Sequence, residues 1–560
     1  MQACACYEAL GRYRRDRQRC KRFHFGDQWS DTVTANGATI SEYEFLSSQG
    51  STPLKNNLIR RLVRNVVGVF ISQVSQPRCV VRDARHKRYG EAMTDLLRYN
   101  ADINRLPAIY ARSLEEFLIS GMVVHRKGYA MRNGRMDCWT DYVHPNNFFI
   151  DTNMSDFRGW DCTCIGEVHD ISFDKLCAQF ARSPQQAAEL EAVYALSADR
   201  GELSNQWREW GYASGISHSF MFPSAPGLCR VIEVWRREMH RLYRCRDPKT
   251  GREFKIAEAD YAALVEKPNR RRPQAEKIAA EWAMEERWHY YYLSPAGDVL
   301  ASGASPYMHG QHPYVVKAYP LIDGEIHSFV SDVIDQQKYT NRLITLYDWI
   351  LRASAKGVLL IPQDSLPEGC HPRQFAEAWG RCNGVIMYKH TPHGEAPKQV
   401  VANANVDGVT DLLNIQLKLF EDISGVHGAL EGRLTNANVS AALYGQQTEY
   451  ATLSLLDLLN TFQEFMRDAA SKDMSIIRQY YTPQQVSAIL GDAAVDLTSE
   501  DARNLEYDLT IASALTSSRS KENNNALLKD LLDKGHISFE TFLAGTDLPF
   551  ADAIKPETKQ

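Results

Sequence analysis

No run of eighteen apolar residues occurs in this chain, which argues against a membrane-spanning helix. The amino-terminal MQACACYEALGRYRRDRQRCKRF lacks an apolar core, so no secretion signal is predicted. The dipeptide Gly-Lys is absent, and with it the phosphate loop G-x-x-x-x-G-K-[ST] that an ATP-driven motor needs. H-E-x-x-H, G-x-S-x-G and G-x-G-x-x-G are also missing. Nor is there a positive balance. The formal charge of −5 gives no global attraction for nucleic acid, so DNA would be touched locally or contained rather than gripped. Finger-type cysteine spacing is lacking too. Cys4/Cys6 and Cys162/Cys164 are C-x-C pairs, and Cys370 merely adjoins His371. Twelve cysteines scattered through 560 residues point to free thiols in a reducing compartment. His309 and His312 lie in a Gly/Pro-rich loop, and no metal or other cofactor is predicted.

What is present suits a large α+β protein. With 44% apolar and 24% charged residues, the chain has material for three or four cored domains. Residues 6–25 read as a helix crowded with Arg12, Arg14, Arg15, Arg17, Arg19, Lys21 and Arg22. It is either a solvated terminal helix or a contact with a partner subunit or nucleic acid. FGDQW (Phe25 to Trp29) ends it. LKNNLIRRLVRNVVGVFISQ then puts Leu58, Leu62, Val66 and Val69 on one helical stripe. A further helical stretch covers about 87–119 and ends at Ser120-Gly121. From Met122 the apolar period becomes two, and Arg132-Asn133-Gly134 between alternating runs predicts a hairpin. A second β section, 229–256, turns at DPKTGR. Helical segments near 170–205 and 257–286 separate these strands from a third set in WHYYYLSP, GDVLASG and HPYVVKAYP.

The most distinctive segment is Asp323 to Pro362. Residues 328–355 read as one helix with an apolar stripe at Leu343, Leu346, Tyr347, Ile350 and Ala353. A separate polar stripe holds Asp335, Lys338, Arg342, Thr345 and Arg352. Lys356-Gly357 supplies the stop. So much polar surface predicts packing against copies of the same helix around a solvated space. A small α+β insertion follows over 357–403, with strand GVLLIP, helix PRQFAEAWG, strand GVIMYK and loop TPHGEAPK. Next comes the helix DGVTDLLNIQLKLFEDIS, then a Gly/Asn-rich link from Gly425 to Asn438. Beyond it, 439–481 contain no proline and predict a helix about 60 Å long, with Gly445 as a possible kink. The remainder is mostly helical, and LLKDLLDKGHISFETFLA reads as a helical hairpin.

Two patterns bear on chemistry. Asp247, Glu253 and Lys255 on one hairpin would suit a metal-dependent nuclease, but Asp-Pro-Lys-Thr-Gly-Arg is also what a turn requires. The link 425–438 carries one strong cation, Arg433, with Asn436 and Asn438. It is either a surface connection or a loop that touches phosphates without reading sequence.

The order of these elements resembles that of tailed-bacteriophage portal proteins. FGDQW after a basic helix, LKNNLIRRLVRNVVG, and LISGMVVHRKGY followed by DYVHPNNFFID look like portal wing sequence. AYPLIDGEIHSFVSDVIDQQKYTNRL leading to GVLLIPQDSL looks like the passage from stem to clip. DISGVHGALEGRLTNANVSAALYGQQ looks like the second stem and tunnel loop. The resemblance spans roughly 25–540 and rests on order, not on one strict signature.

It implies an amino-terminal helix and loop over 1–50, a wing over 51–327, stem helices at 328–356 and 404–424, and a clip at 357–403. A tunnel loop at 425–438, a long wing helix at 439–481 and a short crown with tail at 482–560 complete it. It further implies a non-enzymatic ring of twelve subunits at one capsid vertex, made in the bacterial host cytoplasm. That ring passes double-stranded DNA driven by a separate terminase. Lys338, Arg342, Asp335, Arg352 and Lys418 would line or brace the channel. Arg433, Asn436 and Asn438 would approach DNA. Glu368, His371, Arg373, Lys389 and Lys398 would meet the terminase large subunit and later the head-completion or tail adaptors. The basic helix would touch the major capsid protein or scaffold. The nuclease reading, and a different ring-forming adaptor, stand as alternatives; adaptors are usually much shorter.

Overall fold

The computed structural model describes residues 1–199, 219–360, 398–400, 407–426, 455–511 and 518–546, apart from internal gaps of one to three positions, together with 371, 373, 377 and 389. Helix and sheet are mixed throughout, and the class is α+β. The chain divides into two units: 1–21, 63–331 and 428–560 form one, and 22–62 with 332–427 form the other.

The first unit is built on two antiparallel sheets. The larger runs 299–304, 279–293, 228–246, 164–172, 148–150, with 253–257 added to the far end of 228–246. The smaller runs 314–318, 122–132, 135–142. Met122, Val124, Phe148, Ile165, Trp235, Trp288 and Tyr314 share one buried cluster that draws on both sheets. Because side chains alternate, His125 and Lys127 take the opposite face of their strand. That side meets the helices Lys87–Asn104 and Leu456–Tyr480, where Met93, Leu96, Cys138, Met474 and Ile477 pack. Gly166 sits at a close crossing. A Cβ there would lie 2.0 Å from the Glu233 carbonyl oxygen and 2.5 Å from the Phe149 ring.

The turn chemistry reads true. Arg132 pairs with Arg135, and Asn133 and Gly134 take φ of 50° and 76°, the positive pair that a two-residue hairpin demands. Arg246 pairs with Glu253 across DPKTGR, where Gly251 also has positive φ. The C-terminal helical hairpin is present as Ser518–Asp533 and Phe539–Gly545.

One expectation needs correction, and two others are refined. The 257–286 stretch is helical only in its first part: short helical turns lie within Glu258–Asn269 and at Gln274–Glu276, and Ala279–Leu293 is a strand paired along its whole length with 228–246. Ala and Glu in AAEWAMEERW favour helix locally, but fifteen cross-strand partners outweigh that weak preference. The helical stretch 87–119 is present as two helices: Arg105 adopts φ 53° after the first, and Leu106–Ser120 starts with Pro107 in its first turn. The helical segments predicted near 170–205 are Phe173–Phe180 and Pro184–Asp199, preceded by strand through Ser172.

The basic amino-terminal helix proves to be Gln2–Ala9 followed by Gly11–Phe25. It is not simply a solvated arm. Buried Arg14 donates to the carbonyls of Tyr7, Asn146 and Phe148, and Arg17 reaches Glu116 at 2.6 Å. Both buried guanidiniums thus find backbone or carboxylate acceptors, as a cation withdrawn from water requires. Arg12 pairs with Asp16 and Glu325, whereas Arg15 and Lys21 remain exposed.

Candidate functional site in the helix pair

In the second unit, helix Ile334–Lys356 packs against helix Asp407–Ser424. Where the first helix ends, Val358–Leu360 pairs antiparallel with Lys398–Val400, so the insertion leaves and returns at neighbouring rungs. Lys398, read from sequence as loop, opens the returning strand.

One face of helix 334–356 is polar but buried, and its i, i+4 spacing forms a ladder. Gln337 Oε1 accepts from the Leu58 N–H at 2.9 Å and the Ile59 N–H at 3.3 Å, the first amides of helix Leu58–Gln73. Its Nε2 donates to the Asn56 carbonyl at 2.7 Å. Asn341 accepts from the Asn56 N–H and donates to Gln28, and Thr345 accepts from the Leu54 N–H at 3.0 Å. A chain segment without regular structure has its amides satisfied by these side chains instead of by a sheet.

The neighbouring stripe is charged. Lys338 meets Asp31 at 3.0 Å and Glu42 at 2.9 Å, and Arg342 meets Glu42 at 2.7 Å. Glu42 also opens helix Glu42–Ser48, whose Ser41 and Glu44 form a capping box. Lys338 is thus half-buried and Arg342 exposed at its edge. Asp335, Arg352 and Lys418 are exposed, and Arg352 pairs with Asp348 at 2.8 Å within the same helix. His371, Arg373, Lys389 and Lys398 are exposed as well. Arg433, Asn436, Asn438 and Glu368 lie outside the described residues, as do most of the insertion and 439–454.

The apolar stripe divides. Leu343 is buried, Tyr347 and Ile350 are half-covered, and Leu346 is exposed. Tyr339, Trp349 and Leu351 are also exposed, as are Ile415, Leu419 and Ile423 on the second helix. So many large apolar groups on one short helix pair exceed the scattered hydrophobes of an ordinary surface.

The nuclease constellation does not converge. Asp247 accepts from the Lys249 N–H inside the turn and pairs with Arg272, while Glu253 pairs with Arg246. Lys255 turns to Glu285 at 2.8 Å. Each of the three groups thus answers a separate structural need.

A sequence model of the phage P22-like portal protein family matches residues 2–555, nearly the whole chain. The chain belongs to that family. No curated protein matches it. As a portal protein it sits at a capsid vertex and serves DNA packaging, in a family whose members are structural ring-forming proteins with capsid and terminase as partners. No helix of this portal protein among the described residues is long and apolar enough to cross a membrane. Sequence reasoning missed Gln28, Asp31, Glu42, Gln337 and Asn341. The polar i, i+4 run Gln337–Asn341–Thr345 was a visible signal, but its partners were not.

Proposed function

We propose that this portal protein closes into a ring of twelve copies in the virion, with helices 334–356 and 407–424 bracing an axial channel for double-stranded DNA. The carrying observation is the exposed apolar set Tyr339, Leu346, Trp349, Leu351, Ile415, Leu419 and Ile423, which one copy leaves uncovered. Head-to-tail contacts between copies would cover it and close the ring by rotation. On this reading Asp335, Arg352 and Lys418 face the channel, Lys338 and Arg342 brace it through Glu42, and Arg433, Asn436 and Asn438 reach toward phosphates. The insertion, with Glu368, His371, Arg373, Lys389 and Lys398, meets the terminase large subunit and then the head-completion and tail adaptors. The major capsid protein lies outside the ring, and synthesis is in the bacterial host cytoplasm. The chain itself catalyses nothing.

Negative-stain electron microscopy of the purified protein tests the assembly. Rings with a central hole are expected, and a monomer at every concentration would overturn the reading. Deleting Gly425–Asn438 should leave rings intact but impair packaging or retention of the genome; normal packaging would remove the loop from the channel.

A further inference from the structure

Strands 228–246 and 279–293 form a long ribbon whose outer half is only partly covered. On one face of it stand Glu238 and His240, two residues apart on one strand, and His289 on the other, in register with Arg236. His240 Nε2 lies 3.0 Å from His289 Nδ1, with the rings nearly parallel at 4.6 Å between centroids. A ligand atom from each of Glu238, His240 and His289 falls within 4.8 Å of the other two, and among the described residues this is the one group of its kind.

We propose that Glu238, His240 and His289 bind a zinc-class transition-metal ion that fastens the two strands together. The donor set decides the class. Two imidazole nitrogens and one carboxylate oxygen suit zinc, whereas calcium or magnesium would need more oxygens. Two nitrogens bound tetrahedrally at zinc distances stand about 3.3 Å apart, a few tenths of an ångström wider than here. Tyr291 supplies an orienting bond of the kind metal carboxylates receive: its hydroxyl donates to Glu238 Oε1 at 2.9 Å and leaves the other oxygen for the ion. Arg236 and Arg287 flank the cluster and oppose a dication. Arg287 is directed to Glu285 at 3.3 Å, and Arg236 is exposed. Three protein donors leave one coordination position for water.

The full-length protein, stripped with chelator and re-equilibrated with zinc alone, provides the test. Metal analysis should find one zinc per chain, and X-ray absorption should show only nitrogen and oxygen neighbours. His240→Gln and His289→Gln should each weaken binding at least tenfold, and Tyr291→Phe should weaken it about tenfold while retaining the site. No retained zinc, sulfur in the first shell, or unchanged zinc in both histidine variants would overturn the proposal. Because absorption on the wild type identifies the donors directly, a variant that fails to fold leaves the test intact.

Discussion

Lys127 Nζ and Asp473 Oδ2 meet at 2.6 Å, both shut away from solvent and 346 residues apart in sequence. Thr140 accepts a second bond from the lysine, and the Cys138 thiol lies 3.4 Å from the other carboxylate oxygen. The pair pins helix 456–480 to the three-stranded sheet. Burial raises the Asp473 pKa even against the attraction of Lys127, so the pair is costly to desolvate. Asp473→Ala should destabilise the chain by about 3–5 kcal/mol in urea unfolding, because it strands a buried ammonium. Lys127→Met combined with Asp473→Leu should recover most of that loss. Equal losses for single and double variants would remove the pair from this role.

Lys472, next along that helix, is buried and donates to the carbonyl of His312 at 2.7 Å and to that of Tyr314. Burial lowers its pKa from 10.5 to about 7. The folded state therefore releases a proton that the unfolded state still holds between about pH 7 and 10.5. Stability from this group should rise with pH through that window, by up to about 1.4 kcal/mol per pH unit. Other groups titrate there too, so the readout is the difference between wild type and Lys472→Met, whose slope should be shallower. Parallel slopes would contradict the assignment.

Gln337→Leu keeps the helix but leaves the Leu58 and Ile59 amides without their acceptor. Such losses cost about 1–3 kcal/mol. Hydrogen exchange at residues 54–59 should accelerate before exchange elsewhere does; unchanged protection there would mean that the ladder does not hold this segment.

Trp349→Asp and Ile415→Asp touch side chains that a single copy leaves exposed. Monomer melting should therefore stay close to wild type, while each variant shifts ring assembly to at least tenfold higher concentration, since a buried apolar side chain contributes about 1.5–3 kcal/mol. Rings forming at the wild-type concentration would move the subunit contact elsewhere.

No metal-dependent DNA cleavage is expected from wild type, and Glu253→Ala should behave identically; cleavage by wild type lost in the variant would restore the nuclease reading.

Much of the fold was legible where chemistry is local. Asn133-Gly134 and DPKTGR announced their hairpins because positive φ favours few residues, and Ser120-Gly121 marked a helix end for the same reason. Strand 279–293 was hidden, since AAEWAMEERW is helix-prone by itself and becomes strand only beside 228–246. The polar stripe of helix 334–356 was visible, but its partners were not. Arg342 and Glu42 are 300 residues apart, and no spacing rule connects them. The same holds for His240 and His289, which meet across two strands although 49 residues separate them in sequence.

The pairing of Val358 with Val400 sets the two ends of the insertion side by side. With its ends fixed on adjacent rungs, a longer connection raises the entropic cost of closure only logarithmically. Changes in chain length between Leu360 and Lys398 should therefore leave the Val358–Val400 pairing and the helix pair as they are.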